Sequence, residues 1–230
     1  MTTSIHWLDQ NSGAFPHYQY ALTEPNGLLA AGGDLSPERL INAYSLGIFP
    51  WYNPGEPILW WTPDPRSVVY PQEFKPSRSL TKLIKKQLFS VTMDTCFAEV
   101  IKQCAQPRRD QDGTWIDDDI NQAYNQLHDL GLAHSVEVWL GGALVGGLYG
   151  IALGKAFFGE SMFSRVDNAS KLAFATLCEQ LTKWQFELID CQVHNPHLAS
   201  LGAVEIPRKT FLAQLKRAIE KDEQERWHLD

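Results

Sequence analysis

His134-Ser135-Val136-Glu137-Val138-Trp139-Leu140 and Ala143-Leu144-Val145-Gly146-Gly147-Leu148-Tyr149-Gly150-Ile151 flank the pair Gly141-Gly142. β-Branched and aromatic residues crowd both runs, and two adjacent glycines supply the left-handed backbone that a tight hairpin needs. The stretch reads as two antiparallel strands. After a turn at Gly154, Lys155 to Phe158 reads as a third strand. Ala173, Phe174, Leu177, Leu181 and Trp184 then recur at helical spacing, which marks a long helix from about Ala169 to Gln185. The apolar run Phe186 to Val193 follows as a fourth strand. Three strands, a helix and one more strand imply a mixed sheet with flanking helices, so the fold class is α+β.

Upstream of the hairpin the pattern is helical. Ser79 to Leu88 is a basic amphipathic helix; Phe97, Val100, Ile101 and Cys104 mark a second, ending before Pro107; Ile120, Ala123, Tyr124, Leu127 and Leu130 line a third, stopped by Gly131. Phe211, Leu212, Leu215 and Ile219 define a last helix near the end of the chain. The first 65 residues differ. Most of the 13 prolines fall between Pro16 and Pro76, among many aromatic side chains. One helix stands out there, Pro37 to Leu46, with Ser36 as its N-cap, Pro37 in the first turn and Gly47 as its stop. A stretch so rich in aromatic rings is expected to pack. Residues 1–65 are therefore taken as a small N-terminal domain docked on a larger domain of residues 66–230.

The 230 residues carry 20 Lys plus Arg against 27 Asp plus Glu, a formal net charge of -7. So acidic a chain is ill suited to coating long stretches of nucleic acid, where affinity rests on many phosphate contacts. No apolar run reaches the length of a membrane span, and Met1 to His6 lacks the basic-then-apolar pattern of a secretory signal. The 4 cysteines are scattered, with no C-x-x-C pair, as in a reduced, cytoplasmic protein without a zinc site. His194 and His197 are three apart, but Pro196 interrupts the helix a metal pair would need.

Several residues invite a chemical reading beside a bland one. Asp190 and Gln192 are two apart in a strand and so project to one face, where a carboxylate can orient an amide; equally, a strand end reaching solvent carries polar residues. Gly159-Glu160-Ser161-Met162-Phe163 resembles a nucleophile elbow, but Phe163 stands where the strained turn needs glycine, so a serine hydrolase is disfavoured. Glu160, following directly on the third strand, can bind an amine or serve as a structural pair. Arg78, Lys82, Lys85 and Lys86 share one helix surface that suits a few phosphates or simply faces water. Trp51 and Trp115 lie in turn-like segments where an exposed ring can stack on a nucleobase. The junction Ser164 to Lys171 holds no glycine, whereas acyl-CoA-dependent acetyltransferases use glycines there to cradle a pyrophosphate; CoA is therefore not expected.

Taken together, ordered blocks of the chain resemble the bacterial leucyl/phenylalanyl-tRNA–protein transferase family. They are Glu24-Pro25-Asn26-Gly27-Leu28-Leu29-Ala30-Ala31-Gly32-Gly33-Asp34-Leu35-Ser36-Pro37, Gly47-Ile48-Phe49-Pro50-Trp51, Ile58-Leu59-Trp60-Trp61, Asp64-Pro65-Arg66, Gly113-Thr114-Trp115-Ile116, Gly159-Glu160-Ser161-Met162-Phe163-Ser164, Leu188-Ile189-Asp190-Cys191-Gln192, Ala199-Ser200-Leu201-Gly202-Ala203 and Glu205-Ile206-Pro207-Arg208. They span about residues 15 to 215.

The resemblance implies a small N-terminal domain plus an acetyltransferase-like domain without CoA. It implies transfer of Leu or Phe, less often Met, from aminoacyl-tRNA to proteins beginning with Arg or Lys, which marks them for degradation. It places the catalytic pair at Asp190 and Gln192, with Glu160 at the pocket edge facing the amino group or the basic acceptor. A neutral amide is a very weak base, so Gln192 is better read as positioning the amine while Asp190 stabilises developing charge. The implied aminoacyl pocket is Leu148, Phe157, Met162 and Ile189, with Leu148 where some members carry Met. Trp51 and Trp115 are implied contacts of the terminal adenosine, and Arg78, Lys82, Lys85 and Lys86 of the tRNA acceptor end. No metal or other cofactor is implied, and a monomer is expected. Two rivals stand beside this reading: a non-catalytic binder of tRNA ends or basic N-termini, and an enzyme adding amino acids from aminoacyl-tRNA to a cell-wall peptide.

Overall fold

A seven-stranded sheet forms the frame of the molecule in a computed structural model that describes residues 5–10, 12–106, 114–221 and 227–229. A smaller sheet comes first in the chain, from β1 (His6–Leu8), β2 (Leu28–Gly32), β3 (Phe49–Pro50) and β4 (Leu59–Trp61), in the order β1-β2-β4-β3. The large sheet comprises β5 (Arg66–Val69), β6 (Ser90–Met93), β7 (Ala133–Leu140), β8 (Ala143–Leu153), β9 (Ala156–Ser164), β10 (Leu188–Asp190) and β11 (Val204–Ile206). Its order is β11-β5-β10-β9-β8-β7-β6. All neighbours are antiparallel except β9 and β10, which run parallel because a helix carries the chain back between them. The sheet is mixed and the fold is α+β.

The β7–β8 hairpin turns at Gly141 and Gly142, both at positive φ as the two-residue turn demands. Among the described residues seven α-helices accompany the sheets: α1 (Pro37–Ser45), α2 (Arg78–Lys85), α3 (Phe97–Cys104), α4 (Asp118–Asp129), α5 (Ala169–Lys183), α6 (Pro196–Ser200) and α7 (Arg208–Ile219). Ser36 caps α1 by accepting from the Arg39 N–H, and Asp117 caps α4 by accepting from the Ile120 N–H.

The two faces of the large sheet bury different partners. On one face α5 packs with α2, and Leu148, Phe157, Leu177, Leu181 and Ile189 lie in a single apolar cluster. The other face meets α1, α3, α4 and α7; here Tyr44, Trp60, Tyr124, Phe158 and Phe211 form a second cluster. Trp60 and Phe49 of the small sheet belong to this second cluster, so the Pro-rich N-terminal stretch packs rather than trails. Trp227 lies flat on His134 at 3.8 Å between ring centres and reaches Phe157, tying the end of the chain to the first face.

Several expectations change. The third strand does not stop at Phe158: β9 continues to Ser164, held by β8 through Gly146↔Ser164, so Glu160 lies within the strand and not after it. The fourth strand is only Leu188–Asp190, because Gln192 turns into the left-handed region at φ 56. Strands β5, β6 and β11 and the small sheet go beyond the expected four strands. Helix α2 ends at Lys85, before the left-handed Gln87. Met1 to Ser4, Pro107 and Gly113 lie outside the described residues.

Candidate active site

Glu160 sits where the β8–β9 ladder slips by one. Leu148 pairs with Met162 and Tyr149 with Ser161, but Gly150 pairs with Gly159, so Glu160 is the extra residue of a β-bulge. The bulge re-aims the strand. Phe158 and Glu160 turn toward α1 and α4, while Met162 returns to the face that holds Phe157, five residues earlier. Gly150 makes this possible, since a Cβ there would stand 2.2 Å from the Phe158 carbonyl oxygen.

Two buried tyrosines meet the Glu160 carboxyl. Tyr44 Oη of α1 lies 2.7 Å from Oε1, Tyr124 Oη of α4 lies 3.0 Å from Oε2, and the two hydroxyls are 2.5 Å apart. These three contacts close a ring. With Glu160 ionised the two tyrosines supply only two protons; with Glu160 protonated, three protons serve three contacts. Burial is the main reason that the Glu160 pKa rises to about 7; Asp190 adds to the rise, and the two tyrosine hydroxyls and Arg66 oppose it. Burial together with the nearby Glu160 pushes Tyr44, Tyr124 and Tyr149 well above the ordinary phenol value. The ring therefore changes charge near neutral pH.

Asp190 is held differently. Its carboxylate takes a two-pronged pair from Arg66, Nε to Oδ1 at 2.8 Å and Nη2 to Oδ2 at 2.7 Å, with both side chains fully buried. Oδ1 also accepts the backbone N–H of Gln192 at 3.0 Å. The Gln192 side chain turns the other way, and its Nε2 donates to Glu160 Oε1 at 3.3 Å. Asp190 and Gln192 were expected to share a face, carboxylate beside amide. The structure gives Asp190 the backbone of Gln192 and Glu160 its amide, because positive φ at Gln192 swings the side chain off the strand's alternation.

Leu148, Phe157, Met162 and Ile189 lie together. Leu148 faces Met162 across β8 and β9, and Phe157 faces Ile189 across β9 and β10, all in the apolar cluster under α5. Three are buried, while Met162 is partly open, its Sδ 3.3 Å from His197 Nε2. Arg78, Lys82, Lys85 and Lys86 are all exposed, on α2 or at its C-cap, and α2 anchors through Leu80 in that same cluster. Trp51 is 50% exposed against the Trp61 ring, and its carbonyl accepts from Trp61 Nε1 at 2.7 Å. Trp115 is half-buried. Burial, with the carboxylates of Asp117 and Asp119 nearby, pushes the Tyr52 phenol well up; Tyr52 follows Trp51 and Asp117 lies two residues after Trp115, so the segments carrying the two tryptophans lie near each other. Among the described residues no grouping of His, Cys, Asp and Glu is arranged to hold a metal ion, and no helix is long and apolar enough to cross a membrane.

Comparison with known proteins decides the family. The model described as leucyl/phenylalanyl-tRNA protein transferase matches residues 68–216, and that of its N-terminal domain matches residues 33–64. The chain is 58% identical to the leucyl/phenylalanyl-tRNA–protein transferase of Nitrosospira multiformis over 98% of this chain and 97% of that one. It is 57% identical to that of Cellvibrio japonicus, over 97% and 96%. The chain belongs to the leucyl/phenylalanyl-tRNA–protein transferase family. This is a family of aminoacyltransferases. Among solved structures, that of L-PGS from Bacillus licheniformis superposes at a TM-score of 0.44 with 10% identity, over 81% of this chain and 71% of that chain.

For a member of this family the structure adds three residues that sequence reasoning passed over. Tyr124 was read only as one apolar position on a helix face and Tyr44 not at all, yet both hydroxyls end at Glu160. The available signal was the hydroxyl itself, since a tyrosine at a core position needs a polar partner. Arg66 appeared only inside Asp64-Pro65-Arg66. Its partner lies 124 residues away, beyond any local pattern.

Proposed function

We propose that this transferase moves Leu or Phe, less often Met, from aminoacyl-tRNA onto the α-amine of proteins beginning with Arg or Lys, marking them for N-end-rule degradation. It acts in the cytoplasm, as a monomer, with residues 1–65 docked on a catalytic domain of residues 66–230. The observation that carries the reading is Gln192, whose backbone is fixed by Asp190 and whose side-chain amide is fixed by Glu160. With Nε2 committed to Glu160, Oε1 is the acceptor offered to an N–H of the attacking amine. The amine forms a C–N bond to the ester carbonyl, and the C–O bond to the tRNA ribose breaks. The proton lost by nitrogen ends on the ribose oxygen, with the neighbouring ribose hydroxyl as its carrier. The ester is already activated, so orientation supplies most of the rate, and this reading needs no CoA or metal.

Glu160 faces the nitrogen as it becomes cationic, and its ionised form stabilises that charge. Leu148, Phe157, Met162 and Ile189 form the wall that receives the aminoacyl side chain; Leu, Phe and Met fill it, whereas Val and Ile crowd at Cβ. Trp51 and Trp115 take the terminal adenosine by stacking, and Arg78, Lys82, Lys85 and Lys86 take phosphates of the acceptor end.

The test uses Leu-tRNA with labelled leucine and peptides that differ only at the first residue. Label is expected on Arg- and Lys-started peptides and not on Ala-started ones. No label on any peptide, with tRNA still bound, would favour a binding module. Label on a cell-wall peptide instead would favour the other enzyme class.

A further inference from the structure

We propose that Arg66 is a positioning residue for aminoacyl transfer, acting through Asp190 on the backbone of Gln192. The proposal rests on the reading that Gln192 orients the amine. Asp190 Oδ1 is shared: it accepts Arg66 Nε at 2.8 Å and the Gln192 N–H at 3.0 Å. Gln192 needs that support, because it is a non-glycine residue at φ 56, a conformation that persists only where its surroundings impose it. Strand β5 grips the same residue a second time, since the Ser67 N–H donates to the Gln192 carbonyl at 3.2 Å.

The guanidinium is itself fixed from two remote parts of the chain. The Phe49 ring of β3 lies 4.9 Å from its carbon and the Phe211 ring of α7 lies 4.6 Å away. A planar fork in that slot fixes both carboxylate oxygens of Asp190, and with them the direction of the bond to Gln192. Stability alone does not account for the arrangement. A buried ion pair loses its solvation, an apolar pair of similar volume often serves as well, and here Arg66 Nη1 is buried with no hydrogen-bond partner among the described residues. What the pair supplies is a fixed orientation of the Gln192 backbone N–H, and with it the place from which the Gln192 side chain reaches Glu160, Nε2 to Oε1 at 3.3 Å. Neither Arg66 nor Asp190 has exposed surface with which to touch a substrate, so both act through Gln192.

Three variants test this: the apolar pair Arg66→Met/Asp190→Leu, the single Gln192→Ala, and the triple combination. The apolar pair is expected to lower kcat for transfer about 10–100-fold while KM for aminoacyl-tRNA stays within about twofold. Gln192→Ala is expected to do the same, and the triple variant to be no slower than Gln192→Ala. A merely structural role predicts the opposite: a loss that multiplies with that of Gln192→Ala, or one that falls on KM. Full kcat in the apolar pair with Gln192→Ala slow would overturn the proposal alone; full kcat in Gln192→Ala would overturn the reading of Gln192 and the proposal with it. Should the apolar pair fail to fold, Arg66→Lys decides. It keeps the charge but not the fork, and it is expected to lower kcat without moving KM; wild-type kcat in Arg66→Lys would overturn the proposal.

Discussion

Asp190 and Glu160 stand on neighbouring strands beside one glutamine, yet their surroundings differ in kind. Asp190 is met by a guanidinium fork, both side chains fully buried, and its charge is matched at 2.7–2.8 Å. Glu160 is met by uncharged donors, two phenols and one amide, at 2.7–3.3 Å. A carboxylate clamped by a buried guanidinium fork serves to hold geometry. A carboxylate hydrogen-bonded only to neutral groups in a poorly solvated place keeps or loses its proton according to small changes, and serves to respond. The fold thus separates the two tasks of holding Gln192 and answering charge at Gln192.

The largest effect should come from breaking the matched side of this comparison. Asp190→Ala leaves the Arg66 guanidinium buried and alone, so unfolding in urea should show a loss of about 3–5 kcal/mol. A loss below ~1 kcal/mol would mean that water reaches Arg66. The responsive side makes a smaller and pH-dependent mark. The Glu160 pKa is raised from 4.5 to about 7, so between those values the folded protein keeps a proton that the unfolded chain has released. Stability should therefore fall as pH rises from about 4.5 to 7, by about 2 kcal/mol after allowance for the partial exposure of the residue. Glu160→Gln should flatten that part of the profile; an unchanged slope would assign it to another group.

Farther from the pair, effects should shrink. Replacing Lys82, Lys85 and Lys86 together removes up to three phosphate contacts, so tRNA affinity at low salt should drop about tenfold and the salt slope should flatten by ~2–3. The ratio of Leu to Phe transferred should not move, and a change in that ratio would place the basic helix elsewhere in the mechanism. Smallest of all is Leu148→Met, a volume-conserving exchange in the apolar wall. Leu and Phe transfer should each stay within about threefold of wild type in competition assays.

What could be read from sequence divides along similar lines. The β7–β8 hairpin was legible because Gly141-Gly142 and the flanking β-branched runs are local signals, and α1 because Ser36 and Pro37 mark its start. The full length of β9 was not. Gly159, Glu160 and Ser161 break the apolar pattern at the bulge, and only pairing with β8 keeps them in the strand. Strand β5 is four residues, Arg66 to Val69, and its pairing with β10 joins positions more than a hundred residues apart. Asp190, Gln192 and Glu160 could be named as candidates because acids and amides near apolar strands are uncommon. Which of them touch could not be read, since the bulge at Glu160 and the left-handed turn at Gln192 each reverse the simple alternation of a strand. The tyrosine ring was hidden for the same reason: α1 and α4 contribute one hydroxyl each, and only the tertiary fold brings them to Glu160.

The central claim is that the charge of Glu160 follows pH near neutrality, while Asp190, clamped by Arg66, holds the geometry of Gln192. The most direct measurement is the single-turnover rate of leucine transfer to an Arg-started peptide between pH 5.5 and 8.5, in the wild type and in Glu160→Gln. The titration of the peptide's own amine is common to both and cancels in their ratio. The account predicts that the ratio of wild-type to variant rate climbs with pH through a single ionisation near 7. A ratio that stays constant across the range would contradict it.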